Sequence, residues 1–395
     1  MKKNHITTVL AVLSIYFLLQ GKTAVNPSLQ NIAQSFSEIP FTTVLLISTL
    51  PSIFVIPATI ITGQIAGSKV KFKTLLIVAI SLFIVAGVAP YFLKNFTAIL
   101  VSRCVFGVGL GMVSPLASTM VVRLFTGKQR ANLLGIGAVI MSAGGVLFQM
   151  VAGILTTYNV RFTWLTYLLA VLTLILVLFF LPEPENITEN LEETNQKSSG
   201  RLPKSVFLIC IAFAFTMLFV YPLFLNTSTI IISENLGNAA SAGTVLSLYT
   251  IGGMVAGLIF GQVSKILGKH VIPTAAVFAA MGSGIVFFGN SLLLLLVGSF
   301  FIGFGHTLIL PAIYIEFGLL ASGNGFAKAA GWLTGLANIS AFVSGYYLKL
   351  IAEISGNASP RFPMIISIFG FLIIATIWWF VKLSNKSVKH NSEAA

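Results

Sequence analysis

The sequence predicts an all-α membrane protein: twelve transmembrane helices in two pseudo-symmetric six-helix bundles. Three observations predict it, namely the near-absence of charge, a series of long apolar runs, and an internal repeat. Charged residues make up 8% of the 395, hydrophobic ones 56%, and the mean hydropathy is +0.97. A soluble domain carries roughly 25% charged residues. A span needs about 20 apolar residues, so a chain of this length with short loops holds about twelve spans and no soluble domain. In lipid the backbone satisfies its own hydrogen bonds, which leaves helices or a closed barrel. Unbroken runs such as Leu174 to Leu181 and Leu292 to Val297 exclude the alternation of a barrel.

In order, the predicted spans are 6–27, 42–62, 74–93, 96–120, 132–156, 162–181, 205–230, 242–262, 271–289, 292–316, 329–352 and 362–382. Residues 6–27 are too long for a signal-peptide core and lack a small-x-small cleavage site, so they read as a retained first helix. Of the 23 Lys and Arg residues, 17 fall on the side that holds both termini, four (Lys94, Arg161, Lys349, Arg361) on the other, and two inside spans. That asymmetry places both termini in the cytoplasm of a plasma-membrane protein and requires an even number of spans. The net charge of +13 is therefore an orientation signal, and no nucleic-acid partner is expected. Cys104 and Cys210 fall inside spans, so no disulfide framework is indicated.

One break in composition interrupts the pattern. Pro182 to Lys204 holds Glu183, Glu185, Glu189, Glu192 and Glu193, half of the ten acidic residues. It reads as a solvated cytoplasmic linker, residues 183–204, between an N-terminal bundle (1–182) and a C-terminal bundle (205–395). The bundles repeat each other. Gly107-Val-Gly109 followed by Pro115 recurs as Gly303-Phe-Gly305 followed by Pro311, at an offset of 196. Gly63-Gln-Ile-Ala66 recurs as Gly261-Gln-Val-Ser264, at an offset of 198. Two parallel six-helix repeats are a transporter build, with a substrate site near the midplane. Glycines at every fourth position, Gly253, Gly257 and Gly261 and again Gly331 and Gly335, predict close helix packing or a sliding seam.

These repeats resemble the major facilitator superfamily over essentially the whole chain, and most nearly its twelve-helix drug–proton antiporters. Gly63-Gln-Ile-Ala-Gly67-Ser-Lys69-Val-Lys71-Phe-Lys73 resembles the loop between helices 2 and 3. Arg103 followed by Gly107, Gly109 and Gly111 resembles the helix 4 motif. Thr23-Ala-Val25-Asn26 with Leu29 and Ile32-Ala33 is similar to helix 1 of drug exporters. The chain departs from the family where the loop Asp becomes Gly67 (Lys265 in the second half), where Arg123 stands at an acidic position, and where the helix 1 Asp is Gly21. In the helix 5 signature, Gln149-Met150 replaces Gly-Pro between Gly145 and Gly153. The resemblance implies a conformational role for Gly63, Gly67, Lys71, Lys73, Gly261, Lys265 and Gly268.

There is no Asp, and Glu316 is the one Glu inside a predicted span. It lies about 36 Å along span 10, near the inner surface, and reads as an interfacial carboxylate or a proton carrier. His306, about 21 Å along the same span, is the alternative coupling residue, because imidazole titrates near physiological pH. A neutral His bonded to a neighbouring helix is the competing reading. Lys22 and Arg103 both fall in one outer third by helix rise, and the resemblance makes their helices neighbours. Buried cations need partners, and an organic anion held by this pair would supply one. Snorkelling of Lys22 and carbonyl bonding of Arg103 compete with that reading. Asn26, Gln149, Tyr221, Asn226 and Tyr249 are polar groups that line a cavity or join helices.

No Gly-Lys-Ser/Thr phosphate loop and no metal-ligand spacing occur in the sequence, so neither an enzyme nor a cofactor is expected. Three functional readings follow. The first is a monomeric secondary transporter that exports a small organic molecule by alternating access, with protons as candidate coupling ion. The second is uptake or exchange of an organic anion through Lys22 and Arg103. The third is a non-transporting membrane receptor or scaffold.

Overall fold

The computed structural model describes residues 2–184, 202–320 and 324–393; most of the expected linker lies outside them. Twelve helical segments run through the described residues. They are α1 (Ile6–Ser35), α2 (Leu46–Ile65), α3 (Phe72–Tyr91), α4 (Phe96–Leu124), α5 (Gly127–Tyr158) and α6 (Val160–Phe180), then α7 (Lys204–Ser233), α8 (Ala239–Leu267), α9 (Val271–Phe288), α10 (Leu292–Leu320), α11 (Asn324–Ser355) and α12 (Pro363–Glu393). Among the described residues ten apolar stretches, none of them in α11, are long enough and apolar enough to cross a membrane. One of them, Ala239–Phe288, has 50 residues and contains both α8 and α9. Fifty helical residues span about 75 Å, more than two hydrocarbon thicknesses. The stretch breaks at Gly268, whose φ of +50° is a left-handed conformation that glycine adopts without strain.

The first helix runs past its predicted end at residue 27. It passes through an eleven-residue 3-10 stretch, Leu18–Ser28, and resumes as α-helix to Ser35. Pro27 sits inside the 3-10 stretch and does not stop the helix. A second long 3-10 stretch, Val160–Leu168, opens α6. The hydroxyls of Ser28 and Thr163 join the two at 2.9 Å, and Ser28 also bonds Thr156 of α5 at 2.6 Å.

The described residues fall into two compact units. One comprises residues 2–184 with Thr227–Ser247 and Ala341–Lys349; the other comprises the described residues of 202–226, 248–340 and 350–393. In the first unit a core of Phe83, Phe106, Phe148 and Tyr167 fills the space between α3, α4, α5 and α6. The end of α7 belongs here. The Ser228 hydroxyl donates to the Pro27 carbonyl at 2.8 Å, and Gln30 bonds both Ser228 and Thr229. A Cβ on Gly153 would strike the Ala239 carbonyl, and one on Gly243 the Gln149 carbonyl, so α5 and the start of α8 touch backbone to backbone. In the second unit α9 packs on α10 and α12, with Ala275, Ile309, Ile313 and Phe317 at its centre.

The internal repeat is visible in the packing of each unit taken separately. In α4, a side chain on Gly107 would meet the backbone of Pro51, and one on Gly109 the carbonyl of Ala79 and the amide of Phe83. In α10, the same holds for Gly303 against Tyr249 and for Gly305 against Ala275 and Ala279. Every one of these contacts maps onto its counterpart at the 196 or 198 offset of the sequence repeat. Dispersion at such close approach packs helices where lipid and protein are equally apolar.

Candidate functional site

In the second unit the Gly303 contact sets the position of a polar pair. Gly303 brings α10 against α8 at Tyr249, and one turn later His306 points at the Tyr249 side chain. The Tyr249 hydroxyl and His306 Nδ1 are 2.9 Å apart. His306 is 6% exposed, and its Nε2 is buried without a hydrogen-bond partner among the described residues. Phe213 of α7 stacks on the imidazole at 6.1 Å and 16°. Phe224 meets the Tyr249 ring edge-on at 4.8 Å, and Tyr221 lies beside Phe224 at 6.1 Å. Three of the expected residues (Tyr221, Tyr249 and His306) thus share one aromatic cluster. Phe213 and Phe224 complete it, and nothing in the sequence distinguishes them from the other 31 phenylalanines.

Two other expected residues of this unit stand elsewhere. Asn226 donates from Nδ2 to the Pro360 carbonyl at 2.8 Å and ties α7 to the segment before α12. Glu316 lies ten residues beyond His306, about 15 Å along α10. It lines a separate pocket of about 260 Å³ with Ser264, Gly268 and Lys269.

In the first unit Lys22 is half-exposed, and among the described residues no hydrogen bond or ion pair involves its ammonium. Asn26 is buried and accepts the Ser48 hydroxyl at 2.5 Å, which joins α1 to α2. Gln149 donates to the Thr23 hydroxyl at 3.0 Å and joins α5 to α1, while its Oε1 is buried without a partner.

Arg103 departs from the expectation of a cavity-lining cation. It is 0% exposed. Its Nε donates to the Ile47 carbonyl at 3.0 Å. Its guanidinium faces the rings of Phe106 at 4.1 Å, Tyr167 at 5.3 Å and Trp164 at 5.8 Å. A desolvated cation gains about 2 kcal/mol from such a ring, which offsets part of the cost of burial, while Nη1 and Nη2 are buried without a hydrogen-bond partner among the described residues. Gly21, the neighbour of Lys22, packs against Phe83 and Phe148 of the same aromatic core. Arg103 is thus fully enclosed, whereas Lys22 is half-exposed.

The loop between α2 and α3 turns at Gly67, with φ +74° and its N–H on the Val70 carbonyl at 2.9 Å. Sequence reasoning placed Glu183 in the linker, but its carboxylate caps α3. Oε1 accepts the Phe72 amide at 2.7 Å and Oε2 the Lys73 amide at 2.8 Å. A signal was present: a carboxylate between Pro182 and Pro184, directly after α6, on the same predicted face as the basic loop Lys69 to Lys73. Arg123 lies 5.3 Å over the Phe72 ring and, with Gly63, Ala66, Leu116 and Thr119, lines a pocket of about 140 Å³. The Glu316 pocket is its repeat counterpart, since Ser264, Ala312, Ile315 and Leu319 match Ala66, Leu116, Thr119 and Arg123 at the same offsets. Gly261 and Lys265 lie in the last two turns of α8, ahead of the break at Gly268.

Comparison with known proteins gives the family and the fold. The family model described as Major Facilitator Superfamily matches residues 8–231. The multidrug transporter protein MdtP of Bacillus subtilis (strain 168) is 24% identical over 179 residues, covering 45% of this chain and 32% of that one. A putative glycerol-3-phosphate transporter 1 of Arabidopsis thaliana is 23% identical over 280 residues, covering 58% and 52%. The chain spans between 28% and 52% of the length of the curated relatives it matches. Among solved structures, a bacterial homolog of the human lysosomal transporter Spinster, inward-facing and unoccupied, superimposes with a TM-score of 0.74 at 15% identity, covering 96% of this chain and 97% of that one.

Proposed function

The chain belongs to the major facilitator superfamily, and from that premise we propose that it is a proton-coupled secondary transporter that exports a small organic molecule. Members of the family are multi-pass membrane transporters, which favours the transport readings over the receptor and scaffold one. The substrate would meet the aromatic cluster of Phe213, Tyr221, Phe224 and Tyr249, which offers flat apolar faces and phenol hydroxyls. The plasma membrane, cytoplasmic termini and a monomeric state complete the proposal.

The observation that carries it is the Tyr249–His306 pair. One imidazole nitrogen is held by a phenol, which fixes the ring, and the other is enclosed with no bond to lose. With Nδ1–H donated to the Tyr249 oxygen, Nε2 keeps its lone pair, and a proton arriving there would charge the ring and alter what the cluster binds, which is the requirement for coupling. The similarity to a multidrug transporter supports export.

The test is transport in proteoliposomes under an imposed pH gradient, read with a fluorescent hydrophobic cation. The gradient should drive accumulation by the native protein. His306→Gln should keep exchange at equal pH and lose the gradient-driven part. Accumulation by His306→Gln equal to the native protein would overturn the coupling.

A second reading rests on Lys22, a half-exposed cation within a span with no ion pair among the described residues. It suits an organic anion, and similarity to putative glycerol-3-phosphate transporters supports it. On that reading Lys22→Gln abolishes counterflow of phosphate esters and leaves that of hydrophobic cations intact.

A further inference from the structure

A groove of about 660 Å³ runs along the starts of α7 and α11, within the second unit, and shares no lining residue with the aromatic cluster. Its walls are of two kinds. Phe207, Leu208 and Trp332 form an apolar side, 47%, 64% and 54% exposed, with Phe207 and Trp332 edge to face at 6.0 Å. Lys204 and Lys328 form the other side; both are exposed, and neither has an ion pair among the described residues. Among the described residues no acidic one lines the groove.

We infer that this groove binds one anionic phospholipid, with its phosphate between Lys204 and Lys328 and an acyl chain along Phe207, Leu208 and Trp332. Three arguments carry the inference. The groove is amphipathic end to end, which matches a lipid and not a free anion, because a free anion gains nothing from the three exposed apolar side chains. Its two charges have the same sign, and Lys204 stands in the first turn of α7, where the helix dipole offers a cation no compensation. Both lysines lie on the basic face of the charge asymmetry, where anionic headgroups are met. A zwitterionic lipid brings its own ammonium with its phosphate and would gain less from the pair.

The test is native mass spectrometry of the full chain in detergent, titrated with phosphatidylglycerol or phosphatidylcholine. One phosphatidylglycerol should bind in preference to phosphatidylcholine. Lys204→Gln or Lys328→Gln alone should weaken that binding about fivefold, and the double variant about thirtyfold. Lys204→Arg with Lys328→Arg should retain it, as should Lys128→Gln, a change of charge on the same predicted face outside the groove. Melting curves in lipid-free detergent confirm that each variant is folded. Three results would overturn the inference: a double glutamine variant that keeps the preference, glycerol phosphate displacing the lipid at equal concentration, or a preference that appears only after Glu189, Glu192 and Glu193 are changed to Gln. The last would assign the groove to the acidic segment of the chain itself.

Discussion

Removing the Glu183 carboxylate should loosen the first turn of α3 more than any other single change on that face. The first four amides of a helix have no partner within it, and Lys71, at the head of α3, supplies no side-chain cap. Glu183 takes two of those amides at 2.7 and 2.8 Å from 110 and 111 residues away. A hydrogen bond to a charged group contributes about 1.5–3 kcal/mol, and a carboxylate at a helix start about 0.3–1 kcal/mol more. Partial solvent exposure reduces these figures, so Glu183→Ala should cost about 2 kcal/mol locally, equivalent to about thirtyfold in an opening equilibrium. Glu183→Gln keeps one carbonyl acceptor and loses the charge, so about 1 kcal/mol, or fivefold, is expected. The assay is hydrogen exchange at the amides of Phe72 and Lys73 in detergent or nanodiscs, with Glu38→Ala as control. Exchange within twofold of native in Glu183→Ala, or an equal change in the control, would refute the capping argument.

Other substitutions test the packing. Gly303→Ala places a Cβ against the Tyr249 carbonyl and should lower the melting temperature by several degrees, an overpacking cost of about 1–3 kcal/mol; Gly257→Ala, which faces open space, should not. Ser48→Ala leaves the buried Asn26 oxygen without its donor and should cost about 1–3 kcal/mol in thermal unfolding, and a double-mutant cycle with Asn26→Leu should recover part of the loss. Gly67→Ala forces a side chain into φ +74° and onto the Phe72 ring; at about 1–2 kcal/mol, it should speed tryptic cleavage at Lys69 and Lys71.

The helices and their repeat could be read from the sequence because each depends on local composition. Long apolar runs mark the spans, and Gly107, Gly109, Gly303 and Gly305 mark where backbones touch. The ends of the spans were less legible. The first span was expected to end at residue 27, yet a 3-10 winding carries Pro27 and the helix goes on to Ser35. The candidate site was legible one helix at a time. Tyr249 and His306 stood out as polar groups in apolar runs, and the structure joins them. The cage around Arg103 did not stand out, because Trp164 and Tyr167 come from α6 and only the tertiary fold sets them beside α4. Glu183 was obscured for the same reason, since its partners lie across more than a hundred residues of chain.

The 3-10 stretch in α1 has a mechanical consequence. A 3-10 winding turns about 120° per residue and an α winding about 100°, with rises of about 2.0 and 1.5 Å. Lys22 and Asn26, four residues apart, therefore point about 120° away from each other as now wound, and would point only about 40° apart if rewound as α. Conversion of all eleven residues would shorten the helix by about 5.5 Å and twist its ends by about 220°. The first helix is thus threaded like a screw, and its pitch decides whether the Lys22 ammonium and the buried Asn26 amide share an azimuth.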